Sequence, residues 1–139
     1  MPHILIVEDE SATAWALEEG LSDEGYSIAT VDSAEKALLA ERARRADLVI
    51  TDLRLPRMDG LELVRRLKGR KKSVPVIVVT AYGTRETFKD LEDAGIHACF
   101  PKPFRMEQLR KSVKSALDSS SALPRDSSSM LPRDTGENP

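Results

Sequence analysis

Short apolar runs alternate with segments of helical periodicity over most of this 139-residue chain. Runs of this length, rich in aliphatic and β-branched residues, are typical of strands. Strands are predicted at residues 3–7, 27–31, 48–52, 76–80 and 98–101. The first, third and fourth runs are almost continuously apolar, which is typical of strands buried on both faces of a parallel sheet. The second run alternates in polarity and is expected to lie at a sheet edge.

Apolar residues spaced three and four apart predict five helices, one after each strand. Ser33 is predicted to cap the second helix, residues 34–44. Gly25, Gly69 and Gly95 are predicted to end the first, third and fourth helices. The residues that form the apolar stripes are Thr13, Ala16, Leu17, Gly20 and Leu21; Leu61, Leu63, Val64 and Leu67; Phe88 and Leu91; and Met106, Leu109, Val113 and Leu117.

Strands that alternate with helices of this length indicate right-handed βαβ units. Five units are too few to close a barrel, so half of a larger barrel is the weaker alternative. The sequence therefore predicts an α/β fold with a five-stranded parallel sheet of order 2-1-3-4-5, doubly wound and flavodoxin-like, with five helices.

The composition changes after Asp118, where the segment 119–126 is repeated almost unchanged as 127–134. In the second copy Met130 replaces Ala122. Serine, proline and a short apolar pair in every eight residues cannot form a packed core. We therefore predict one folded domain at 1–118 and a flexible tail at 119–139.

Several functional classes are disfavoured by composition. The single cysteine, Cys99, excludes an internal disulfide framework and a multi-cysteine metal site. No apolar run approaches the roughly 20 residues of a membrane span, and no basic segment precedes the first strand. A net charge of −2 gives no general attraction to nucleic acid, and no DNA-binding module is recognisable after residue 118. A cytoplasmic protein with no membrane association and no direct binding to nucleic acid is expected.

Polar side chains follow the predicted strands where ligands bind in open α/β sheets. Glu8 and Asp9 follow the first strand, Asp52 ends the third, Thr80 ends the fourth and Lys102 follows the fifth. The first and third strands are neighbours in the predicted order, so their three carboxylates should converge. Carboxylates that converge repel one another unless a cation joins them, and an all-oxygen ligand set favours Mg²⁺.

Four separated blocks of the sequence carry a resemblance to a known family. The blocks are Ile4-Leu5-Ile6-Val7-Glu8-Asp9-Glu10, Asp52-Leu53-Arg54-Leu55-Pro56-Arg57-Met58-Asp59-Gly60, Val79-Thr80-Ala81 and Lys102-Pro103-Phe104. In order and spacing the chain resembles, over about residues 3–118, the receiver domain of two-component response regulators of the chemotaxis-regulator type.

The resemblance implies a phosphorelay switch rather than an enzyme acting on a separate substrate. Asp52 would accept a phosphoryl group from the phosphohistidine of a sensor histidine kinase or phosphotransfer protein. Glu8, Asp9, Asp52 and the backbone carbonyl of Arg54 would hold Mg²⁺. Lys102 and Thr80 would contact the phosphoryl oxygens. The phosphorylated form would act on a downstream protein target or on an output domain of a longer chain.

Further expectations follow from the same resemblance. The Lys102–Pro103 peptide is expected to be cis, and Gly60 is expected to let the loop turn into the third helix. Receiver domains usually place an aromatic residue or histidine three positions before the lysine, whereas this chain has Cys99 there. A thiol is too small to fill an aromatic-sized pocket, so the usual coupling from Thr80 is expected to be replaced by changes in the loop 81–85.

Two alternative functions and the role of Trp15 stay open. A Mg²⁺-dependent phosphohydrolase with an aspartyl nucleophile usually carries Asp-x-Asp, whereas Leu53 and Arg54 follow Asp52 here. A flavin-binding module would need a phosphate loop in place of the acidic residues after the first strand. Trp15 lies off the predicted inward stripe and could either dock a kinase or pack against the last helix. The chain could be a stand-alone regulator or a receiver cut from a larger activator.

Overall fold

The computed structural model describes residues 1–69 and 74–120, with five strands and five helices in alternation. The strands are β1 (His3–Val7), β2 (Ser27–Val31), β3 (Leu48–Thr51), β4 (Val76–Thr80) and β5 (Ala98–Pro101). The helices are α1 (Ser11–Ser22), α2 (Ala34–Ala43), α3 (Gly60–Lys68), α4 (Arg85–Ala94) and α5 (Met106–Ser120). All neighbouring strands are parallel, in the order β2-β1-β3-β4-β5, so the predicted topology is confirmed.

Side chains on the two faces of the sheet enter two separate hydrophobic cores, because successive residues of a strand point to opposite sides. Ile4 and Ile6 pack with α1 and α5, whereas Leu5 and Val7 pack with α2, α3 and α4. The same alternation sends Cys99 toward the second of these cores and Phe100 toward the first. Every residue of β2 is partly exposed, which confirms the predicted edge strand.

Helix ends agree with most of the predicted caps. The Ser33 hydroxyl accepts from the backbone N–H of Lys36 at 3.1 Å, and Gly95 ends α4 with a φ of 87°. The prediction that Gly25 ends α1 is wrong: the helix ends at Ser22, and Gly25 instead supplies the left-handed φ of 82° in the turn that leads into β2.

The end of the chain falls largely outside the described residues. Helix α5 continues to Ser120, two residues past the predicted domain end at 118. The predicted tail lies outside the description from residue 121 onward. Within the described ranges, no helix is both long and apolar enough to cross a membrane.

Gly60 begins α3 against the backbone that carries the candidate site. Its N–H donates to the carbonyl oxygen of Leu53 at 2.9 Å. A Cβ atom at position 60 would collide with the Asp52 carbonyl oxygen and the Leu53 Cα atom. Glycine therefore lets α3 start directly against the segment that follows β3, which gives the expected role of Gly60 a steric reason.

We expect Gly60→Ala to lower the free energy of unfolding by about 1–3 kcal/mol, the usual cost of forcing extra atoms into a packed contact. The atoms that would have to move are backbone atoms, so relaxation is limited. Chemical denaturation would measure the change. Gly25→Asn is the control: no atom lies within 4 Å of a Cβ there, and asparagine tolerates a left-handed φ. Equal stability of the two variants would contradict the steric account.

His3 lies at the opposite end of the sheet from the acidic residues and is 7% exposed. Its Nδ1 is 3.1 Å from the Ser27 hydroxyl, and its backbone N–H donates to the Asp47 carboxylate at 2.7 Å. Burial, followed by the positive charge of Arg44, lowers the pKa of His3, and hydrogen bonding with Ser27 opposes the shift without cancelling it. The folded protein therefore disfavours the imidazolium.

This shift predicts the sign of a pH dependence. As pH falls through about 6.5, the unfolded chain takes up a proton at His3 before the folded chain does, so stability is lost toward acid. We expect the stability difference between the wild type and His3→Asn to change in favour of the variant from pH 7 to pH 5. Denaturant melts at each pH would measure this difference. His97 is present in both proteins, so its contribution to the difference cancels. A difference that stays constant with pH would contradict the prediction.

Candidate functional site

The carboxyl ends of β1 and β3 bring three acidic residues together. Glu8 and Asp9 follow β1, and Asp52 follows β3, where its N–H donates to the Val7 carbonyl at 3.1 Å. One carboxylate oxygen from each of Glu8, Asp9 and Asp52 lies within 4.8 Å of the others. Glu8 is 2% exposed and Asp52 is 4% exposed, whereas Asp9 is exposed. The predicted convergence is therefore present.

Lys102 extends from the end of β5 into this acidic group. Its Nζ donates to Glu8 Oε1 at 2.9 Å and to Asp52 Oδ2 at 2.8 Å, and it lies 3.7 Å from Glu10 Oε1. The Lys102 backbone N–H donates to the Thr80 carbonyl at 2.9 Å, which fixes the start of this side chain beside β4. The Lys102–Pro103 peptide is cis, as expected.

Burial and ion pairing set the protonation of this group in opposite directions. Burial raises the pKa of the Glu8 carboxyl, although the hydrogen bond from Lys102 opposes that shift. Burial also lowers the pKa of Lys102, but its hydrogen bonds to the Asp52 and Glu8 carboxylates outweigh that effect and leave the pKa raised. The ammonium of Lys102 therefore stays charged at neutral pH and acts as the internal counter-ion of the site.

The Thr80 hydroxyl is engaged with the backbone of the next loop. It donates to the Tyr82 carbonyl and accepts from the Tyr82 N–H, both at 3.0 Å. Asp52 Oδ1 accepts from the Arg54 N–H at 3.1 Å, so the backbone of Arg54 lies beside the carboxylate. The structure brings Glu8, Asp9, Asp52 and Lys102 together, whereas the hydroxyl of Thr80, on the neighbouring strand, is hydrogen-bonded to Tyr82.

Sequence reasoning missed two features of the site. Glu10 lies beside Lys102 and donates its N–H to Glu8 Oε2 at 3.2 Å. The Arg54 guanidinium stacks on the ring of Tyr82, with 4.1 Å from Cζ to the ring centroid. A signal for this stacking was available, because Arg54 and Tyr82 each come two residues after a site residue at the ends of neighbouring parallel strands.

Cys99 and Trp15 have environments that restrict their roles. Burial raises the pKa of the Cys99 thiol to about 12, so the thiol is protonated at neutral pH and packs as a small side chain. Trp15 is 63% exposed, so its ring is not buried against α5.

Comparison with known proteins places this geometry in a family. Residues 4–114 match the model of the response regulator receiver domain. The sporulation initiation phosphotransferase F of Bacillus subtilis (strain 168) is 34% identical over 118 residues, which cover 85% of this chain and 95% of that protein. The DNA-binding transcriptional regulator NtrC of Klebsiella pneumoniae is 33% identical over 112 residues, 81% of this chain but 24% of that protein.

Solved structures agree with the sequence relatives. A CheY-like response regulator receiver domain protein from Methanospirillum hungatei JF-1 superimposes with a TM-score of 0.83 at 28% identity, covering 87% of this chain and 97% of that chain. NtrX from Brucella abortus gives a TM-score of 0.80 at 32% identity, over 86% of this chain and 28% of that chain. The chain belongs to the response regulator receiver domain family of two-component signalling.

Proposed function

We propose that Asp52 accepts a phosphoryl group from the phosphohistidine of a sensor histidine kinase or phosphotransfer protein. The observation that carries this proposal is the pairing of the Asp52 carboxylate with Lys102 at 2.8 Å, inside a group of three carboxylates. The pairing supports this role because a buried carboxylate, a fixed positive charge and oxygen atoms suited to a hard cation lie together at one edge of the sheet.

The proposed transfer uses Asp52 as an oxygen nucleophile. A bond forms between a carboxylate oxygen and phosphorus, the bond from phosphorus to the donor imidazole nitrogen breaks, and the imidazole leaves with the bonding electron pair. Phosphoryl transfer depends mainly on positioning and on stabilising the charge of the equatorial oxygens. The Arg54 N–H and Lys102 orient the carboxylate, and Lys102 is close enough to exchange its Asp52 contact for a phosphoryl oxygen.

The ligand set fits a magnesium ion. The carboxylates of Glu8, Asp9 and Asp52 outnumber the single ammonium of Lys102, which also lies 3.7 Å from Glu10, and a divalent cation would offset the excess negative charge. All these groups offer hard oxygen atoms, which Mg²⁺ prefers. We propose that the three carboxylates and the Arg54 carbonyl hold Mg²⁺, which would neutralise charge on the transferred phosphoryl group.

Thr80 is proposed to donate its hydroxyl to a phosphoryl oxygen. Its place at the end of β4 puts it next to the strand that precedes Asp52, since β3 and β4 are hydrogen-bonded neighbours. In the structure its hydroxyl proton is used by the Tyr82 carbonyl, so this role requires the side chain to turn.

The phosphohydrolase alternative is disfavoured by what stands two residues after Asp52. An aspartyl phosphohydrolase usually carries a second aspartate there. In this chain the position is Arg54, which cannot take the role of a carboxylic acid and has its guanidinium on the Tyr82 ring. Lack of steady turnover of a small phosphoester such as p-nitrophenyl phosphate would support the switch over the hydrolase.

The partners and location follow from the family and remain part of the proposal. The chain matches nearly all of the sporulation phosphotransferase but about a quarter of NtrC, whose name describes a DNA-binding transcriptional regulator. We infer that the phosphorylated domain acts in the cytoplasm on a downstream protein or on an output domain within a longer chain.

Asp52→Asn should abolish phosphorylation while the fold persists, because the amide has nearly the same shape and removes one of three repelling carboxylates. Intact-protein mass spectrometry after incubation with acetyl phosphate and Mg²⁺ would detect the added phosphoryl group. Asp93→Asn, an exposed change on α4, is the control and should be phosphorylated like the wild type. A phosphoryl group gained by Asp52→Asn would show that another residue is the main acceptor.

Mg²⁺ should raise the melting temperature of the wild type, because it binds a site formed only on folding. At ten times the dissociation constant the gain is about 1.4 kcal/mol, roughly 3–6 °C for a domain of this size. Asp9→Ala should greatly reduce the shift, and Glu19→Ala, exposed and more than two turns further along the chain, should keep it. Thermal melts with and without millimolar Mg²⁺ would measure the effect. An equal shift in all three proteins would contradict the assignment.

A further inference from the structure

We propose that Arg54 and Tyr82 form a latch that stabilises the unphosphorylated state and opens when Asp52 is phosphorylated. The inference rests on the proposed function, in which Asp52 is the acceptor and Thr80 turns toward the phosphoryl group. It assigns the conformational signal of this chain to two loops, the one between β3 and α3 and the one between β4 and α4.

The latch is a stacking contact between those loops. The Arg54 Cζ atom lies 4.1 Å from the centroid of the Tyr82 ring, well inside the roughly 6 Å over which a cation is attracted to an aromatic face. Tyr82 is 52% exposed, so the ring has no burial in a core to hold it in place. The guanidinium is therefore a principal contact that fixes the orientation of this ring.

Each latch residue is also tied to one side of the site. Arg54 donates its N–H to Asp52 Oδ1 at 3.1 Å. Tyr82 exchanges two hydrogen bonds with the Thr80 hydroxyl, one through its N–H and one through its carbonyl. The contacts form a continuous path from Asp52 through Arg54 and Tyr82 to Thr80.

Phosphorylation weakens both ends of this path at once. The Thr80 hydroxyl has one proton, so donating it to a phosphoryl oxygen means withdrawing it from the Tyr82 carbonyl. An acyl phosphate also removes the charge that the two Asp52 oxygens share, which weakens the bond from the Arg54 N–H. Tyr82 then loses the hydrogen bond at its carbonyl while the Arg54 N–H bond weakens, so the two loops are held less firmly in register for stacking.

The surroundings of Tyr82 make its loop able to report this change. A groove of about 360 Å³ lies beside Tyr82, between the first turns of α3 and α4. Phe88 is 42% exposed although it belongs to the predicted apolar stripe of α4, because its ring lies against Gly83 instead of entering the sheet core. The loop is held from outside by two aromatic contacts, so a change at Tyr82 alters an exposed surface without repacking the core.

The direct test is the ring-current effect of Tyr82 on Arg54, measured by NMR on the full chain. In the unmodified protein the Arg54 side-chain methylene protons nearest the ring should resonate upfield of their random-coil position. Adding Mg²⁺ and beryllofluoride, a mimic of the phosphoryl group, should move them toward that position. The backbone amides of Asp9, Asp52 and Thr80 serve as the internal report that the mimic has bound.

The chemical shifts of the site amides and those of the Arg54 methylene protons together distinguish failure of the latch from failure of the proposed function. Site amides that shift while the Arg54 methylene protons stay upfield would overturn the latch and leave the phosphoacceptor intact. Site amides that do not shift at millimolar Mg²⁺ and beryllofluoride would overturn the phosphoacceptor proposal on which the latch rests.

Variants give a thermodynamic test, because loss of a contact made only in the closed state raises affinity for a ligand of the open state. Tyr82→Leu should bind beryllofluoride about twofold to fivefold more tightly, as expected for an exposed cation–π contact. Tyr82→Phe, which keeps the ring, should bind like the wild type. Arg54→Met should match Tyr82→Leu, and the double variant should gain no more than either one.

Outcomes of the variant series are decisive once thermal melts show that each protein is folded. Unchanged or weaker binding by Tyr82→Leu would overturn the proposal. So would tighter binding by Tyr82→Phe, which would assign the effect to the phenol hydroxyl. Additive gains in the double variant would show that Arg54 and Tyr82 act separately and not as a latch.

Discussion

The ammonium of Lys102 is the contact on which the rest of the site depends. Glu8 and Asp52 are almost fully buried, and two buried carboxylates on neighbouring strands repel each other unless a cation lies between them. Lys102 supplies that cation from β5, two strands away from Asp52 along the sheet. Strands at the centre and the edge of the sheet are thereby joined through one ion-paired group. Any change of charge at Asp52 alters its electrostatic interaction with Lys102 directly.

The parallel sheet explains why this group can form from residues so far apart in sequence. Each strand ends at the same edge, so a polar residue just past an apolar run reaches a common place whichever unit it comes from. Gly60 adds the other requirement, because α3 can begin against the Asp52 carbonyl only where there is no side chain. The fold positions Asp52 through backbone contacts, so its carboxylate could change partners without a change in the sheet.

Much of this site could be predicted because its residues lie at or just after the ends of strands. The apolar runs located Glu8, Asp9, Asp52, Thr80 and Lys102 at strand ends. Strand order then brought all of them except the Thr80 hydroxyl into one group. Sequence pattern failed where the outcome depended on side-chain packing in loops. It placed Phe88 with the inward stripe, although the ring lies against Gly83, outside the core. It also did not detect the stacking of Arg54 on Tyr82.

A contact as weak as a surface cation–π pair suits a switch for energetic reasons. Such a pair contributes about 0.5–1 kcal/mol, whereas moving a two-state equilibrium from 1:99 to 99:1 requires about 5.5 kcal/mol. The latch therefore biases the closed state without locking it. Most of the driving free energy has to come from the charges that a phosphoryl group on Asp52 would bring to Lys102, to the proposed metal ligands and to Thr80. A much stronger latch would offset that free energy and keep the loops closed. An exposed Tyr82 held by one guanidinium is therefore compatible with switching in both directions.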